Sequence, residues 1–361
     1  MRKKELVKAL AYDIGGANTK AALIHTKNGE VLSVHVAVEY FPIWKKPEKL
    51  SNVLTALKRR LITGKVDAIG ITMTAELSDA YQTKREGVHQ IVSSVDKTFQ
   101  NFPIFILNTD AELCSSDFAK KNPLRVAAAN WAATGWLVAQ NLKNAVVIDV
   151  GSTSTSIIPI INGQIAAEGK TDLAKLICGE LIYTGSLRTN VAAIVQSIPL
   201  KNGVSGVSSE LFAQSADAHL ILGNITEAEY TSETADGRGK SMSESIARLS
   251  RVVCADTEML STQEIIDMAS YVYKQQIMQI LHGLTKVYTK TKKQTTDKVP
   301  IIVTGMGKKI LARKAAEQID ADAIIDLETI LHKQAALATP AVGLALMTAN
   351  KLTGESSTWR Q

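Results

Sequence analysis

The sequence predicts an α/β protein built twice on one plan. Three observations carry this. The stretches "LAYDIGGANTKAALI" (10–24) and "VVIDVGSTSTSIIPI" (146–160) each run an apolar strand into an aspartate, then a small polar turn, then a second apolar strand. Across the rest of the chain, β-rich apolar runs alternate with stretches of helical period. The length, 361 residues, exceeds one ordinary core and suits two lobes.

Each element follows from local signals. In the first copy the second strand leads to Asn28-Gly29, and in the second copy to Asn162-Gly163. Asn-Gly between β-rich runs marks a hairpin, so each copy reads strand, polar turn, strand, hairpin, strand. Two copies far apart imply related lobes rather than a solenoid. Between them the pattern gives a helix over 47–63, a buried strand over 66–73, a helix over 84–99 and a strand over 102–107. A single helix is expected over 123–142, with Pro123 near its start. Beyond the second copy come helices over 241–254 and 262–292, a strand over 299–307 ending in glycines, and a last helix over 338–352. The lobes are expected at 1–142, whose last helix is free to cross over, and 143–361. The polar segment 223–240, "GNITEAEYTSETADGRGK", reads as a mobile functional loop inserted in the second lobe.

Composition narrows the function. With 45% hydrophobic and 21% charged residues the chain is of the globular class. The net charge of +6 is spread along the sequence, which favours small anions over nucleic acid. Cys114, Cys178 and Cys254 are far apart and form no CxxC pair, which argues against a disulfide framework or a zinc site and for a reducing compartment. The basic start has an apolar run that ends in Asp13, so no signal peptide is expected. No apolar run is long enough for a bilayer. The expectation is a cytoplasmic protein with neither nucleic-acid nor membrane partners; oligomeric state is not legible.

A glycine turn after a strand lets backbone N–H groups approach a ligand with no Cβ between. Ser152, Thr153, Ser154 and Thr155 add hydroxyls, which makes the second turn a candidate anion cradle. Asp13 and Asp149, at strand ends, are placed to hold Mg²⁺ through water. Two such turns facing each other across a cleft would grip a diphosphate or a nucleotide tail, and a third strand ends in "TGMG" (304–307).

This arrangement resembles the actin/Hsp70/sugar-kinase superfamily, which implies duplicated ribonuclease-H-like (actin-like ATPase) domains around a central cleft. More narrowly, "YDIGGANTKAA", "ITMTAELSDAY", "AAANWAATG", "VIDVGSTSTSIIPI", "GELIYTGSLRT", "FAQSADAHLILG" and "ADGRGKSMSESIARLSR" occur in this order. Together they resemble the hydantoinase/oxoprolinase-related proteins of tetrahydromethanopterin-linked one-carbon transfer, whose characterised activity is a methanofuran-biosynthesis synthase. The resemblance implies a transferase that joins an aminomethyl-furanmethanol diphosphate to the phenol oxygen of γ-glutamyltyramine and releases diphosphate. The family's second turn usually reads Gly-Ser-Thr-Thr-Thr-Asp; in this chain the last position is Ser156.

On that reading Gly15, Gly16, Asn18, Lys20, Gly151, Ser152 and Thr153 bind the diphosphate, with Arg238 and Lys240 of "DGRGKS" closing over it. Asp13 and Asp149 hold Mg²⁺. Arg188 meets the acceptor's carboxylate. The base is Glu76, or Asp217 with His219. Plainer readings stand beside these: Lys20 facing solvent, Glu76 capping the next helix, Asp217 and His219 as a structural pair, "DGRGKS" as a solvated turn. Two other functions fit the same superfamily. One is an ATP-dependent small-molecule kinase or hydrolase, with Asp110 of "NTDAEL" as the candidate catalytic aspartate and an adenine pocket near "TGMGKK". The other is a non-catalytic, ligand-gated protein.

Overall fold

A computed structural model describes residues 6–331 and 335–356. The first sheet begins with an antiparallel meander, β1 (Leu6–Ile14), β2 (Asn18–Lys27) and β3 (Glu30–Tyr40). β4 (Ala68–Met73) and β5 (Ile104–Leu107) add on the other side of β1 as parallel strands, and β6 (Leu113–Cys114) closes that edge antiparallel. The order is β3-β2-β1-β4-β5-β6. β1 and β4 read as near-continuous apolar runs because central strands are covered on both faces.

Further along come β7 (Ala145–Val150), β8 (Thr155–Ile161), β9 (Gln164–Ile165) and β10 (Leu181–Ile182). A separate hairpin of β11 (Ser197–Leu200) and β12 (Gly203–Gly206) follows, then β13 (Ile301–Thr304) and β14 (Ile324–Asp326). The second sheet is ordered β10-β8-β7-β13-β14, with β9 also paired to β8. The path β9-β8-β7-β13-β14 therefore repeats β3-β2-β1-β4-β5, the duplicated ribonuclease-H-like plan. The repeat extends to register and turn geometry. Asp13 lies opposite Thr72 of the parallel β4, and Asp149 opposite Thr304 of the parallel β13. The Gly15 N–H donates to the Asn18 carbonyl at 3.0 Å, and the Gly151 N–H to the Ser154 carbonyl at 2.9 Å. Both hairpins turn through paired positive φ, 49° and 77° at Asn28-Gly29, 55° and 73° at Asn162-Gly163, as a two-residue primed turn requires.

Contacts group the chain into two units. The first holds Met1–Ala145, Ile158–Ile177 and Ile325–Gln361; the second holds Val146–Ile157 and Cys178–Ile324. Two segments expected with the second lobe thus count with the first. For the C-terminal one the cause is packing. The helix Thr339–Thr353 is buried nearly all round and lies on β1, β2, β4 and the helix Asn130–Ala139. Gly343 meets the Ala133 backbone, and Gly70 of β4 meets Thr348 and Leu344, so closely that a Cβ on either glycine would overlap its neighbour. The first unit's core gathers Leu10, Tyr12, Ile14, Ile69, Ile71, Val88 and Ile91. The second has one core between β7, β13 and the helix Thr262–Lys292, and another beneath the helices Ser215–Ile221 and Met242–Arg251.

Two expectations change. The helix read over 123–142 is broken. A short 3-10 turn, Pro123–Arg125, leads to Ala128 at φ 50°, and the α-helix starts only at Asn130. The segment 223–240 is anchored rather than mobile. Tyr230 is fully buried, Asp236 pairs with Arg248 at 3.2 Å and Arg251 at 3.0 Å, and Asn224 contacts the His219 ring at 3.3 Å. Among the described residues no helix is long and apolar enough to cross a membrane.

Candidate functional site

In the first unit the carboxyl ends of the parallel strands β1, β4 and β5 lie side by side, the edge where open α/β sheets bind ligands. The first turn sits at the end of β1. Gly15 is required by packing, since a Cβ there would stand 2.7 Å from the Asn18 carbonyl, whereas Gly16 faces open space. Lys20 is directly opposite Asp13 in the β1–β2 register, so their side chains share a face. Lys20 is half-buried and Asp13 buried.

The Thr74 N–H donates to the Ile14 carbonyl at 2.9 Å, steering the chain from β4 past this turn into the 3-10 turn Ala75–Leu77. Glu76 lies in it, fully buried, with the backbone N–H groups of Glu76 and Ala128 beside its carboxyl. Lys84 Nζ is 3.6 Å from Glu76 Oε1 and 2.6 Å from Asp172 Oδ2. Burial pushes the Glu76 carboxyl up to about 7, against the pull of the Lys84 ammonium. Glu76 does not cap the next helix; Thr83 does, its side chain accepting from the Glu86 N–H. A buried acid that exchanges its proton near neutrality suits general acid–base work.

In the second unit the segment 183–189 splints the hydroxyl turn. The Ser186 N–H and Oγ both donate to the Gly151 carbonyl, at 2.9 and 3.1 Å, and the Leu187 and Arg188 N–H groups donate to the Ser152 carbonyl at 3.0 and 2.9 Å. Arg188 Nη1 donates to Thr153 Oγ1 at 3.2 Å. Arg188, expected to meet the acceptor's carboxylate, is therefore tied to the hydroxyl turn. Gly305 takes φ 87°, and a Cβ there would overlap Asp149 Oδ1 and the Val150 carbonyl; the Gly307 N–H donates to the same carbonyl at 2.9 Å. The "TGMG" stretch is thus the support against which Asp149 is set. Ser156 falls within β8, opposite Leu181.

Asp217 and His219 take the plainer reading. Arg248 Nε lies 2.8 Å from Asp217 Oδ1, the Tyr230 hydroxyl donates to the same oxygen at 3.2 Å, and Oδ2 accepts the Gln214 N–H at 2.9 Å. Arg248 and Asp217 are both fully buried. His219 is fully buried too, with Nε2 3.0 Å from Gln276 Oε1 and Nδ1 3.3 Å from Asn224 Nδ2, and burial lowers its pKa to about 4. Both groups belong to the unit's interior hydrogen-bonded network. In "DGRGKS" the acid faces Arg248 and Arg251, Lys240 lies over the Tyr230 ring at 5.4 Å, and Arg238 is exposed.

Among the described residues no three His, Cys, Asp or Glu side chains gather as a metal site. Each turn brings one carboxylate, set opposite a buried threonine, and the second adds the hydroxyls of Ser152 and Thr153. That all-oxygen, carboxylate-poor set fits Mg²⁺, which keeps waters and completes its shell with phosphate oxygens; it does not fit zinc. Lys84 and Asp172 carry no signal of their place in the sequence. The Lys84–Asp172 contact joins positions 88 apart, and no local pattern announces it.

A family model described as hydantoinase/oxoprolinase matches residues 67–351. The chain is similar to the (4-{4-[2-(gamma-L-glutamylamino)ethyl]phenoxymethyl}furan-2-yl)methanamine synthase of Methanocaldococcus jannaschii, 38% identical over 344 residues, covering 95% of this chain and 98% of that protein. A protein of the same name from Methanococcus vannielii is 38% identical over 218 residues, covering 60% of this chain and 96% of its own. Among solved structures, the nucleotide-free acetone carboxylase aligns with a TM-score of 0.55 at 10% identity, over 94% of this chain and 70% of that one, a likeness of fold alone.

Proposed function

The chain belongs to the hydantoinase/oxoprolinase family, and from this premise we propose that it is a transferase joining an aminomethyl-furanmethanol diphosphate to the phenol oxygen of γ-glutamyltyramine. The observation that carries the reading is the 38% identity that spans almost the full length of both this chain and the synthase, whose named product contains that aryl ether.

The chemistry sets the roles. The phenol oxygen forms a bond to the furan methylene, the bond from that methylene to diphosphate breaks, and the phenol proton goes to a base. The departing diphosphate needs donors and positive charge. The second unit's turn offers the Ser152 and Thr153 hydroxyls and the Arg188 guanidinium, while Gly151 shapes the turn with its N–H held by the Ser154 carbonyl. In the first unit Gly16, Asn18 and Lys20 are the candidates for phosphate contact, with the Gly15 N–H held by the Asn18 carbonyl, and Arg238 and Lys240 remain candidates for added charge. Each unit has one candidate carboxylate for Mg²⁺, Asp13 in the first and Asp149 in the second, and the ion when bound would neutralise phosphate charge. The furan oxygen stabilises a developing methylene cation, so no covalent enzyme intermediate is required. A phenol titrates near ~10, so proton removal as the bond forms lowers the barrier. Glu76 is the proposed base, supported by its burial and its pKa of about 7. We place the protein in the cytoplasm, acting on small molecules without nucleic-acid or membrane partners.

The kinase reading is disfavoured by Asp110. Arg125 Nη2 at 2.6 Å and Lys170 Nζ at 3.2 Å clamp its carboxylate, and the Arg125 hydrogen bond holds its pKa below the ordinary range, which makes it a poor base. The test is direct. Purified protein with Mg²⁺ and both substrates should yield the ether by mass spectrometry and one diphosphate per ether. ATP-dependent phosphorylation of either substrate, with no ether, would overturn the proposal.

A further inference from the structure

We propose that the carboxyl end of β5 carries a subsite for the zwitterionic head of the acceptor, with Arg125 and Lys170 taking an α-carboxylate and Asp110 an α-ammonium. The inference rests on the synthase reading. A γ-linked glutamyl group leaves its α-carboxylate and α-ammonium unsubstituted on one carbon, at the end of the molecule remote from the phenol. A site that selects such a head needs an acid and cations side by side, open to the ligand, on the edge that carries the base.

The first unit has this combination. Asp110 Oδ2 lies 2.6 Å from Arg125 Nη2 and Oδ1 3.2 Å from Lys170 Nζ, with side chains 38%, 49% and 47% exposed for Asp110, Arg125 and Lys170. The trio carries one positive charge in excess, so a further carboxylate is attracted, and the partly exposed Asp110 is the group an ammonium can approach. The groups sit just past β5, which is the parallel neighbour of the β4 strand that leads to Glu76.

The cluster is held from several sides. Asn108 Oδ1 accepts the N–H groups of Asp110 and Glu112, both at 2.9 Å. The Thr109 N–H donates to the Arg125 carbonyl at 2.8 Å, and Lys170 Nζ donates to the Thr109 carbonyl at 3.3 Å. The Phe118 ring backs the Arg125 guanidinium at 5.3 Å. Ala111, next to Asp110, has φ 59°, and Ala128, three residues beyond Arg125, has φ 50°. Left-handed alanines cost free energy and collect where function holds the backbone. A surface ion pair, worth little by itself, gives no reason to keep two of them beside it.

The test compares acceptors. Wild-type protein should prefer γ-glutamyltyramine to tyramine in kcat/KM. It should lose at least tenfold with glutaryl-tyramine, which lacks the ammonium, and with 4-aminobutyryl-tyramine, which lacks the carboxylate. Arg125→Ala and Lys170→Ala should each cut the γ-glutamyltyramine-to-tyramine ratio at least tenfold, through acceptor KM and not through KM for the furan diphosphate. Ratios within twofold of wild type, or the head analogues used as well as γ-glutamyltyramine, overturn the inference while ether formation itself stands. The substrate analogues decide the matter even if a variant fails to fold. Absence of ether from wild type with every acceptor instead defeats the synthase reading, and this inference with it.

Discussion

Lys84 Nζ lies 3.6 Å from Glu76 Oε1, closing over a carboxyl that has no solvent exposure. The ammonium is itself drawn aside by Asp172 at 2.6 Å. Glu76 is thus held near the balance between its two protonation states, with a cation beside it when it ionises. If it is the base, kcat/KM rises with pH up to about 7 as the carboxylate forms. Glu76→Gln should remove that limb and lower turnover by about 10²–10⁴-fold. A Glu76→Gln enzyme with the wild-type pH–rate profile would exclude the role.

The same burial predicts how stability responds to pH, with opposite signs in the two units. Glu76 moves from 4.5 to about 7 on folding, so its contribution is full below pH 4.5 and is lost as pH rises through 7. The loss is about 3 kcal/mol in the first unit. His219 moves from 6.5 to about 4, so its contribution is full above pH 6.5 and is lost as pH falls toward 4. Denaturant unfolding across pH 4.5–7.5 should show Glu76→Gln gaining on wild type as pH rises. Parallel curves for the two proteins would refute the Glu76 shift.

Two glycines with different surroundings separate folding from ligand approach. Gly305 has φ 87° and no room for a Cβ beside Asp149, so Gly305→Ala should cost about 1–3 kcal/mol and displace the carboxylate. Gly16 has nothing within 4 Å of a would-be Cβ and no positive φ. Gly16→Ala should therefore fold with stability within about 0.5 kcal/mol of wild type. Its KM for the furan diphosphate should rise at least tenfold, because the new methyl occupies the ligand's approach. An unchanged KM would show that the first turn does not meet the diphosphate.

The duplication was legible because both copies keep the same grammar, an aspartate at a strand end, a small-residue turn and an Asn-Gly hairpin. Each of these is a local signal. What escaped the sequence depends on partners far along the chain or on backbone states that the residue type hides. Ala128 breaks a segment rich in alanine and leucine, and nothing in an alanine announces φ 50°. The segment 223–240 has the polarity of a mobile loop. Its anchors are one buried tyrosine and the pairing of Asp236 with Arg248 and Arg251, residues that a helix pattern explains equally well as surface charges. Glu76 was visible as a candidate, but its cover by Lys84 and Asp172 was not.

Arg248 is the residue whose removal best separates the structural reading of Asp217 from the catalytic one. Its guanidinium, fully buried, binds Asp217 at 2.8 Å, Asp236 at 3.2 Å, the Gly239 carbonyl at 3.0 Å and Ser245 Oγ at 3.2 Å. Arg248→Met removes the charge that offsets the fully buried Asp217 carboxylate. The expected loss is about 3–5 kcal/mol, seen as a lower denaturation midpoint with the wild-type slope. Asp217→Asn should also destabilise, since it weakens the tie to Arg248, yet the fraction that stays folded should keep its turnover. Were Asp217 the base, the pattern would invert. The asparagine variant would unfold where wild type does and form almost no ether, and proton removal would move from Glu76 to the second unit.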